Sequence, residues 1–384
     1  MQKIKCVIVC MLAFVLFWNT LSLPVSATES PALSAQGAVL MEASGGRVLC
    51  AVNADKRMPM ASTTKIMTAL VAVELAAPAT LISVSPAAVG VEGSSIYLSA
   101  DEVLTLEELL YALLLESAND AAAAIAIGLC GSIEAFAEEM NRKAATLGLE
   151  NTHFTNPHGL DDEEHYTTAR ELAIIARAAL CHPLITTIVS TRKTTIPHVG
   201  IDSVRLLVNH NKLLRMYDGC IGVKTGFTKR SGRCLVSAAE RDGVRLIAVT
   251  LNAPDDWQDH TALLDYGFSQ YRAVTLCCAG DFSYALPVVN ASNDVVCVRN
   301  TEALTLPLPN HRSSITVTVE LPRFCYAPLT ANEAVGRVVF HCDTDGDGTT
   351  EVIGTVALRT TEERPQKKQR RRFWQWLCDL FRRK

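Results

Sequence analysis

The order of hydrophobic patterns between residues 34 and 272 constrains the fold more than any other feature of the chain. Apolar and polar residues alternate over residues 37–58 around Ser44-Gly45-Gly46, which predicts a β-hairpin. A helical middle follows, and alternating segments return before residue 272. This order predicts an α+β domain whose first and last strands share one antiparallel sheet. The predicted helices cover residues 61–77, 106–115, 121–129, 133–147 and 168–180, and the later strands cover 193–197, 204–208, 232–240 and 244–252.

After Tyr271 the helical periodicity disappears. Residues 275–359 contain short β-branched runs broken by Pro, Asn and Asp-Gly, which indicates a small all-β domain. A chain of 384 residues is long enough for two such domains. Residues 360–372 are polar and charged, as expected of a linker.

The N-terminus has the three parts of a secretory signal. Lys3 and Lys5 are followed by thirteen apolar residues, and Val25-Ser26-Ala27 is a small-residue cleavage site. Thirteen residues are too few to span a bilayer comfortably, although an uncleaved anchor is an alternative. Residues 1–27 are therefore predicted to be a signal peptide that directs export.

The C-terminus carries most of the positive charge. Residues 364–384 hold nine Lys or Arg against one Asp, so this tail is +8 and the remainder of the chain is −12. An acidic body gives no reason to expect nucleic-acid binding. In 373–384 two Trp, two Phe and two Leu lie between arginines, which predicts an amphipathic helix on a membrane surface. The alternative is a disordered basic tail.

The thirteen cysteines do not form a regular framework. Cys6 and Cys10 lie in the predicted signal, and the remaining eleven are scattered without a C-x-x-C pair. We therefore expect mostly buried free thiols and no thiolate zinc site.

Three short motifs stand in order along the first domain: Ser62-Thr63-Thr64-Lys65, Ser117-Ala118-Asn119 and Lys224-Thr225-Gly226. A second S-x-x-K sequence, Ser190-Thr191-Arg192-Lys193, precedes a β-like stretch, where residues i and i+3 point to opposite faces. Ser62 and Lys65 instead open an apolar helix, so their side chains share a face. This placement favours Ser62 as a nucleophile.

Each motif offers a chemical role. Lys65 can accept the Ser62 proton if burial and the nearby charge of Lys224 destabilise its ammonium. The Ser62 amide at a helix N-terminus can help hold an oxyanion. Ser117 can relay a proton to a leaving amine, and Asn119 can hold the peptide of a substrate. Lys224 and Thr225 suit a terminal carboxylate, and the Gly226 strand can receive an extended peptide at its edge.

The ordered trio resembles the penicillin-binding protein and serine β-lactamase superfamily. More narrowly, the chain resembles the low-molecular-mass D-alanyl-D-alanine carboxypeptidases over nearly its whole length. The similar stretches are ASTTKIMTAL, ESANDAA, HFTNPHGLDDEEHYTTARELA, NHNKLL, DGCIGVKTGFT and LNAPDDWQDHTALLDYGF.

The resemblance implies a β-lactamase/transpeptidase-like α+β domain with an antiparallel sheet, then a small all-β domain and a C-terminal amphipathic helix. It implies cleavage of the terminal D-Ala from peptidoglycan stem pentapeptides through a Ser62 acyl-enzyme, without a cofactor, and covalent inhibition by β-lactams. It also places Phe227 as the donor of a second oxyanion amide. The protein is then expected outside the cytoplasm, on the membrane surface. One departure is His210, since some relatives carry an arginine inside this N-x-N motif that assists carboxylate binding.

Two acidic segments invite a metal-binding interpretation. Asp161-Asp162-Glu163-Glu164 lies between two histidines but lacks the H-E-x-x-H spacing, so a solvated loop is favoured. Residues 343–348 imitate the start of an EF-hand, but position twelve is Gly354, so a hairpin turn is favoured. No metal site is predicted.

Three other functions remain as alternatives. A β-lactamase needs an additional base for fast deacylation, and no E-x-x-L-N stretch follows Asn119 at a suitable distance. A catalytically idle cell-wall scaffold would not need the four motif residues intact. The third alternative is a zinc-dependent peptidase.

Overall fold

The computed structural model describes residues 30–200, 202–310, 314–343 and 348–367. The predicted signal peptide, residues 368–372 of the linker, the predicted anchor 373–384 and most of the EF-hand-like segment lie outside these residues.

The described part of the first predicted domain contains both strands and helices. Its helices are α1 (Lys65–Leu75), α2 (Leu106–Tyr111), α3 (Asn119–Cys130), α4 (Ile133–Thr146), α5 (Ala169–Leu180), α6 (Pro183–Ser190), α7 (Leu213–Met216) and α8 (Asp256–Gln270). Its strands are β1 (Gly37–Glu42), β2 (Val48–Val52), β3 (Leu81–Ser83), β4 (Val103–Thr105), β5 (Lys193–Pro197), β6 (Val204–Val208), β7 (Cys220–Thr228), β8 (Gly232–Arg241) and β9 (Val244–Leu251). Short 3₁₀ turns cover Ala61–Thr64 and Pro86–Ala88, and a π-helical turn, Ala112–Glu116, continues α2.

The central sheet has five antiparallel strands in the order β2-β1-β9-β8-β7. β1 pairs with β9 along its length, with Gly37 opposite Leu251 and Glu42 opposite Leu246. The first strands of the domain therefore lie beside its last strands, which confirms the predicted α+β architecture. β7 is an edge strand, because β8 pairs with it on one side only.

The central sheet is buried on both faces. On β8, Val236 and Ala238 join the larger core with α1, α3 and α5, whereas Leu235 and Ala239 join a smaller core with α8. This alternation follows from the two-residue period of a strand. The sheet thus lies between a layer of helices and α8, and α1 is apolar enough to be buried along residues 65–72.

From Tyr271 onward the regular elements of the described residues are strands. They are β10 (Tyr271–Cys277), β11 (Ser283–Val289), β12 (Val295–Asn300), β13 (Leu304–Pro309), β14 (Ile315–Glu320), β15 (Cys325–Tyr326), β16 (Ala334–Cys342) and β17 (Glu351–Thr360). Six of them make one sheet in the order β14-β16-β17-β12-β11-β15, and β10 pairs with β13. The described residues from 31 onward cluster as one compact unit, so the domain boundary near residue 272 stays a prediction.

The sequence patterns did not predict helices α6 and α8. α6 begins with Pro183 and is rich in β-branched residues, and α8 begins with a polar run, so neither shows a strong helical pattern. The capping box of Thr105 and Glu108 at the start of α2 is present. Of the ten described cysteines only four are buried, so the expectation of mostly buried thiols was wrong for the other six.

Among the described residues, no single helix is both long and apolar enough to cross a membrane. Two bent helix pairs, α3 with α4 and α5 with α6, meet that test by length and composition alone.

A buried ion pair joins the segment before α2 to the β5–β6 hairpin. Arg205 on β6 donates to both carboxylate oxygens of Glu102, at 2.5 and 3.0 Å, and its Nε donates to the carbonyl of Ile96 at 2.9 Å. Both side chains are almost fully inaccessible to solvent. The pair therefore fixes residues 96–102 against the hairpin.

We predict that Arg205→Met lowers the free energy of unfolding by about 3–5 kcal/mol, because it leaves the buried Glu102 carboxylate without its counter-charge. Urea unfolding followed by circular dichroism measures the change. Arg192→Met, which alters an exposed arginine just before β5, is the control and should stay within about 0.5 kcal/mol of the parent. Equal stability of the two variants would contradict the structural role of the pair.

Candidate active site

Ser62 lies in the 3₁₀ turn that leads into α1, and Lys65 is the first residue of that helix. The Nζ of Lys65 is 2.9 Å from the Oγ of Ser62. Lys65 is fully buried, whereas Ser62 is partly accessible. The serine can therefore meet a substrate while the amine beneath it is shielded from water.

The turn before Ser62 has an unusual backbone. Ala61 has a φ of 48°, in the left-handed region that non-glycine residues rarely adopt. Gly159 packs directly against it, since a Cβ on Gly159 would lie 2.0 Å from the carbonyl oxygen of Ala61. Such strain persists only where surrounding structure enforces it, and it is common at functional sites.

The amine of Lys65 has three oxygen neighbours. Besides Ser62 Oγ, it is 2.6 Å from Asn119 Oδ1 and 2.6 Å from the carbonyl of His158. Burial, followed by the charge of Lys224, holds the pKa of Lys65 well below its usual value, and Asp120 opposes this shift. A neutral amine has two protons and one lone pair. If the protons go to Asn119 and His158, neither of which can donate there, the lone pair faces Ser62.

The second motif follows the π-helical turn. Ser117 is largely buried and adopts a φ of 61°, which ends the turn and lets α3 start at Asn119. The amide of Asn119 donates from Nδ2 to the carbonyl of Glu92 at 2.5 Å, and its backbone N–H donates to Ser94 at 2.7 Å. Asn119 therefore already has protein partners on both ends of its side chain. Its role in holding a substrate stays a prediction.

Asp120 fixes the loop beside this motif. Its carboxylate accepts hydrogen bonds from Ser95 Oγ and from the backbone N–H groups of Ile96 and Leu98. Together with Arg205 it holds residues 94–98 at the edge of the site.

The third motif lies on the edge strand β7. Lys224 is buried, its Nζ donates to the carbonyl of Thr225 at 2.9 Å, and burial lowers its pKa to about 7, with Glu116 opposing. Gly226 passes close to the turn that contains Ser62: a Cβ on Gly226 would lie 3.0 Å from the amide nitrogen of Ser62 and 3.1 Å from that of Thr63. Glycine at this position leaves the Ser62 N–H accessible.

One cleft collects residues from all three motifs. Three of the predicted site residues, Lys65, Asn119 and Lys224, lie behind its surface. His210 is half exposed, and its Nε2 is 3.2 Å from a carboxylate oxygen of Glu116. The cleft is lined by Ser62, Ser94, Ser117, His210, Lys212, Thr225, Gly226, Phe227, Arg233, Asp256 and Trp257.

The other candidate sequences do not build comparable sites. Ser190 ends α6 and bonds to Thr187, while Lys193 starts β5, and both are exposed. The acidic segment 161–164 is followed by His165, whose ring packs inward. Its Nδ1 accepts a hydrogen bond from the backbone N–H of Thr155, and its Nε2 contacts Thr64 Oγ1 at 2.8 Å. Within the described ranges, no cluster of three His, Cys, Asp or Glu has a geometry that could hold a metal ion.

Two contributions to the site were missed from sequence. The carbonyl of His158 contacts Lys65, and Asn156 shapes that loop by accepting from the N–H of Gly159 at 2.7 Å. The Asn-Pro-His-Gly sequence indicates a turn, but a backbone carbonyl leaves no signal of its own. Arg233 on β8 lies outside the quoted stretches, and Asp256 and Trp257 on α8 lie in LNAPDDWQDHTALLDYGF but were given no role.

We predict that Gly226→Ala slows acylation of the protein by a fluorescent penicillin by roughly tenfold to a hundredfold. Its Cβ must displace the Ser62 amide, and complete removal of one oxyanion donor costs about 10²–10³. Gly45→Ala, in the turn between β1 and β2, is the control, with an unchanged rate expected. An unaltered rate in Gly226→Ala would show that the close approach is not needed.

The chain is similar to known proteins of one family. Residues 24–255 match the protein family described as D-alanyl-D-alanine carboxypeptidase. The D-alanyl-D-alanine carboxypeptidase DacF of Bacillus subtilis is 38% identical over 253 residues, which cover 64% of this chain and 65% of that protein. The match thus spans slightly less than two thirds of the relative.

Solved structures extend the likeness beyond residue 255. Penicillin-binding protein 5 of Haemophilus influenzae has a TM-score of 0.69 and 28% identity, covering 88% of this chain and 100% of the other. A peptidoglycan synthesis regulatory factor (PBP3) of Streptococcus pneumoniae has a TM-score of 0.75 and 25% identity, covering 87% and 100%. Since the family match takes in more than half of the 384 residues, this chain belongs to the D-alanyl-D-alanine carboxypeptidase family.

Proposed function

We propose that the protein is a serine D-alanyl-D-alanine carboxypeptidase that removes the terminal D-Ala from peptidoglycan stem pentapeptides. The observation that carries this proposal is the 2.9 Å contact between an accessible Ser62 Oγ and the fully buried amine of Lys65. A hydroxyl becomes a useful nucleophile when a neighbouring base takes its proton. Membership of the family gives the substrate class.

Acylation starts with neutral Lys65. The Ser62 proton moves to Nζ of Lys65 as Oγ bonds to the carbonyl carbon of the penultimate D-Ala, and the carbonyl electron pair moves onto oxygen. The backbone N–H groups of Ser62 and Phe227 hold this oxyanion. When the carbonyl re-forms, the C–N bond breaks and the leaving amine takes the proton from Lys65 through the hydroxyl of Ser117.

Deacylation reverses these roles. Water gives a proton to Lys65 and attacks the ester carbonyl, and Ser62 Oγ leaves with the proton as the shortened peptide is released. β-Lactams acylate the same serine, and the protein is expected to bind them covalently.

The extended stem peptide lies along β7. An edge strand offers unpaired backbone groups, and Thr225, Gly226 and Phe227 face the cleft on this strand. In this arrangement Thr225 contacts the terminal carboxylate, and Lys224 supplies charge from beneath.

Export and a surface anchor complete the proposal. The signal pattern of residues 1–27 supports secretion, and the basic, aromatic pattern of 373–384 supports binding to anionic lipid at the outer face of the cell membrane. The β-rich residues 275–359 then lie between the anchor and the catalytic domain in the chain.

We predict that Ser62→Ala abolishes labelling by fluorescent penicillin and release of alanine from a defined pentapeptide. Ser190→Ala, which alters the second S-x-x-K sequence, should leave both unchanged, because Ser190 is exposed and bonded within α6. Mass spectrometry of the peptide checks that one alanine is lost.

Retention of the label in Ser62→Ala would refute this nucleophile. Rapid multiple turnover of a chromogenic cephalosporin by the parent protein would instead indicate a β-lactamase.

We predict that the acylation rate falls as pH decreases through the lowered pKa of Lys65, because protonation removes its lone pair. The charge of Lys224 depresses that pKa. Lys224→Met should therefore move the acidic limb of the rate profile to higher pH, in addition to any loss in substrate affinity. Stopped-flow acylation between pH 5 and 10 measures both effects.

Lys229→Met, in the exposed turn after β7, is the matched control and should keep the parent profile. A flat profile in the parent protein would rule out Lys65 as the base.

A further inference from the structure

The proposed reaction requires a cation for the carboxylate of the departing D-Ala. In the N-x-N segment the residue that could contact this carboxylate is His210. Its side chain is half exposed, and its Nε2 already lies 3.2 Å from the carboxylate of Glu116. The buried Lys224 has a pKa lowered to about 7, so it is only partly protonated at neutral pH. A cation that is always protonated would serve this carboxylate better.

Arg233 provides such a charge. It is the second residue of β8, directly opposite Phe227 of β7, and it lines the same cleft as Ser62 and Thr225. Residues opposite each other in an antiparallel ladder are about 4.5–5.5 Å apart at Cα. Arg233 is thus adjacent to the strand that is proposed to bind the substrate.

The Arg233 side chain is held in place from behind. Its Nη2 lies 2.8 and 2.9 Å from the two carboxylate oxygens of Asp256, and the guanidinium carbon is 5.6 Å from the centre of the Trp257 ring. Asp256 is the first residue of α8, and its side chain is only 3% exposed, whereas that of Arg233 is 41% exposed. A buried carboxylate therefore orients an accessible guanidinium.

Part of the guanidinium remains open to a ligand. Within the described part of the chain, Nε and Nη1 of Arg233 have no hydrogen-bond partner. Guanidinium groups present several donors in a fixed plane that matches a carboxylate. Lys212, which is exposed in the same cleft, adds a second positive charge.

We propose that Arg233, positioned by Asp256 and Trp257, binds the terminal carboxylate of the substrate and makes the enzyme selective for a free C-terminus. This inference rests on the proposed function. The carboxylate lies one residue beyond the bond that is cleaved, and one residue spans about 3.8 Å. In this chain Arg233 supplies a guanidinium group, whereas the N-x-N motif carries a histidine.

The test compares substrates with and without the charge. The rate of Ser62 acylation is measured for benzylpenicillin and its methyl ester, and kcat/KM is measured for a pentapeptide and its C-terminal amide. Arg233→Gln should lower the values for the two acids by roughly tenfold to a hundredfold, as expected for a charge-assisted hydrogen bond. The ester and amide should change little, so the preference for acids collapses.

Two further variants make the result specific. Arg230→Gln removes an exposed arginine from the turn before β8 and should keep the parent preference. Arg233→Lys retains the charge without the planar group and should lose part of the preference for the acids over the ester and amide. This variant tests the role of Arg233 if Arg233→Gln fails to fold.

Equal losses for acid and ester, or no preference in the parent protein, would overturn the role of Arg233. A failure of the parent protein to cleave the pentapeptide would count against the proposed function instead. The penicillin and ester pair would still report on Arg233 in that case.

Discussion

The buried amine of Lys65 is the interaction on which the site depends. Its environment does two things at once: it removes water, which disfavours the charged form, and it supplies oxygen atoms that orient the neutral form. An unpartnered buried lysine would be costly, whereas this one has a partner for each position around nitrogen. The other elements of the site, including the His158 loop and the start of α3, are arranged around that nitrogen.

Much of the fold could be predicted because it follows from periodicity. The hairpin at residues 37–58, the helix after Ser62 and the paired strands at 232–252 all have patterns that match their elements. The three motifs could be ordered along the chain, and the choice of Ser62 over Ser190 followed from the local pattern around each. These are short-range properties, which a sequence displays directly.

The remaining features depend on contacts between distant parts of the chain. Lys65 meets the carbonyl of His158 across 93 residues, and Arg233 meets Asp256 across 23, and neither contact has a recognisable spacing. The contact between Gly159 and the carbonyl of Ala61 also depends on tertiary structure, because the two residues are far apart in the chain. A side chain on residue 159 would collide with that carbonyl. The contacts of the Asn119 side chain with Lys65 and the carbonyl of Glu92 likewise have no signal in its motif, and its predicted role in holding the peptide of a substrate stays a prediction.

The pairing of β1 with β9 has a consequence for how the molecule is made. The central sheet cannot close until residues 244–251 are available, although its first strand is complete by residue 42. Contacts of such large sequence separation slow folding, because a long loop must be ordered before they form. A chain with this topology cannot complete its central sheet until residue 251 has been synthesised, and an incomplete sheet is easier to thread through a narrow translocation channel, as the proposed export requires.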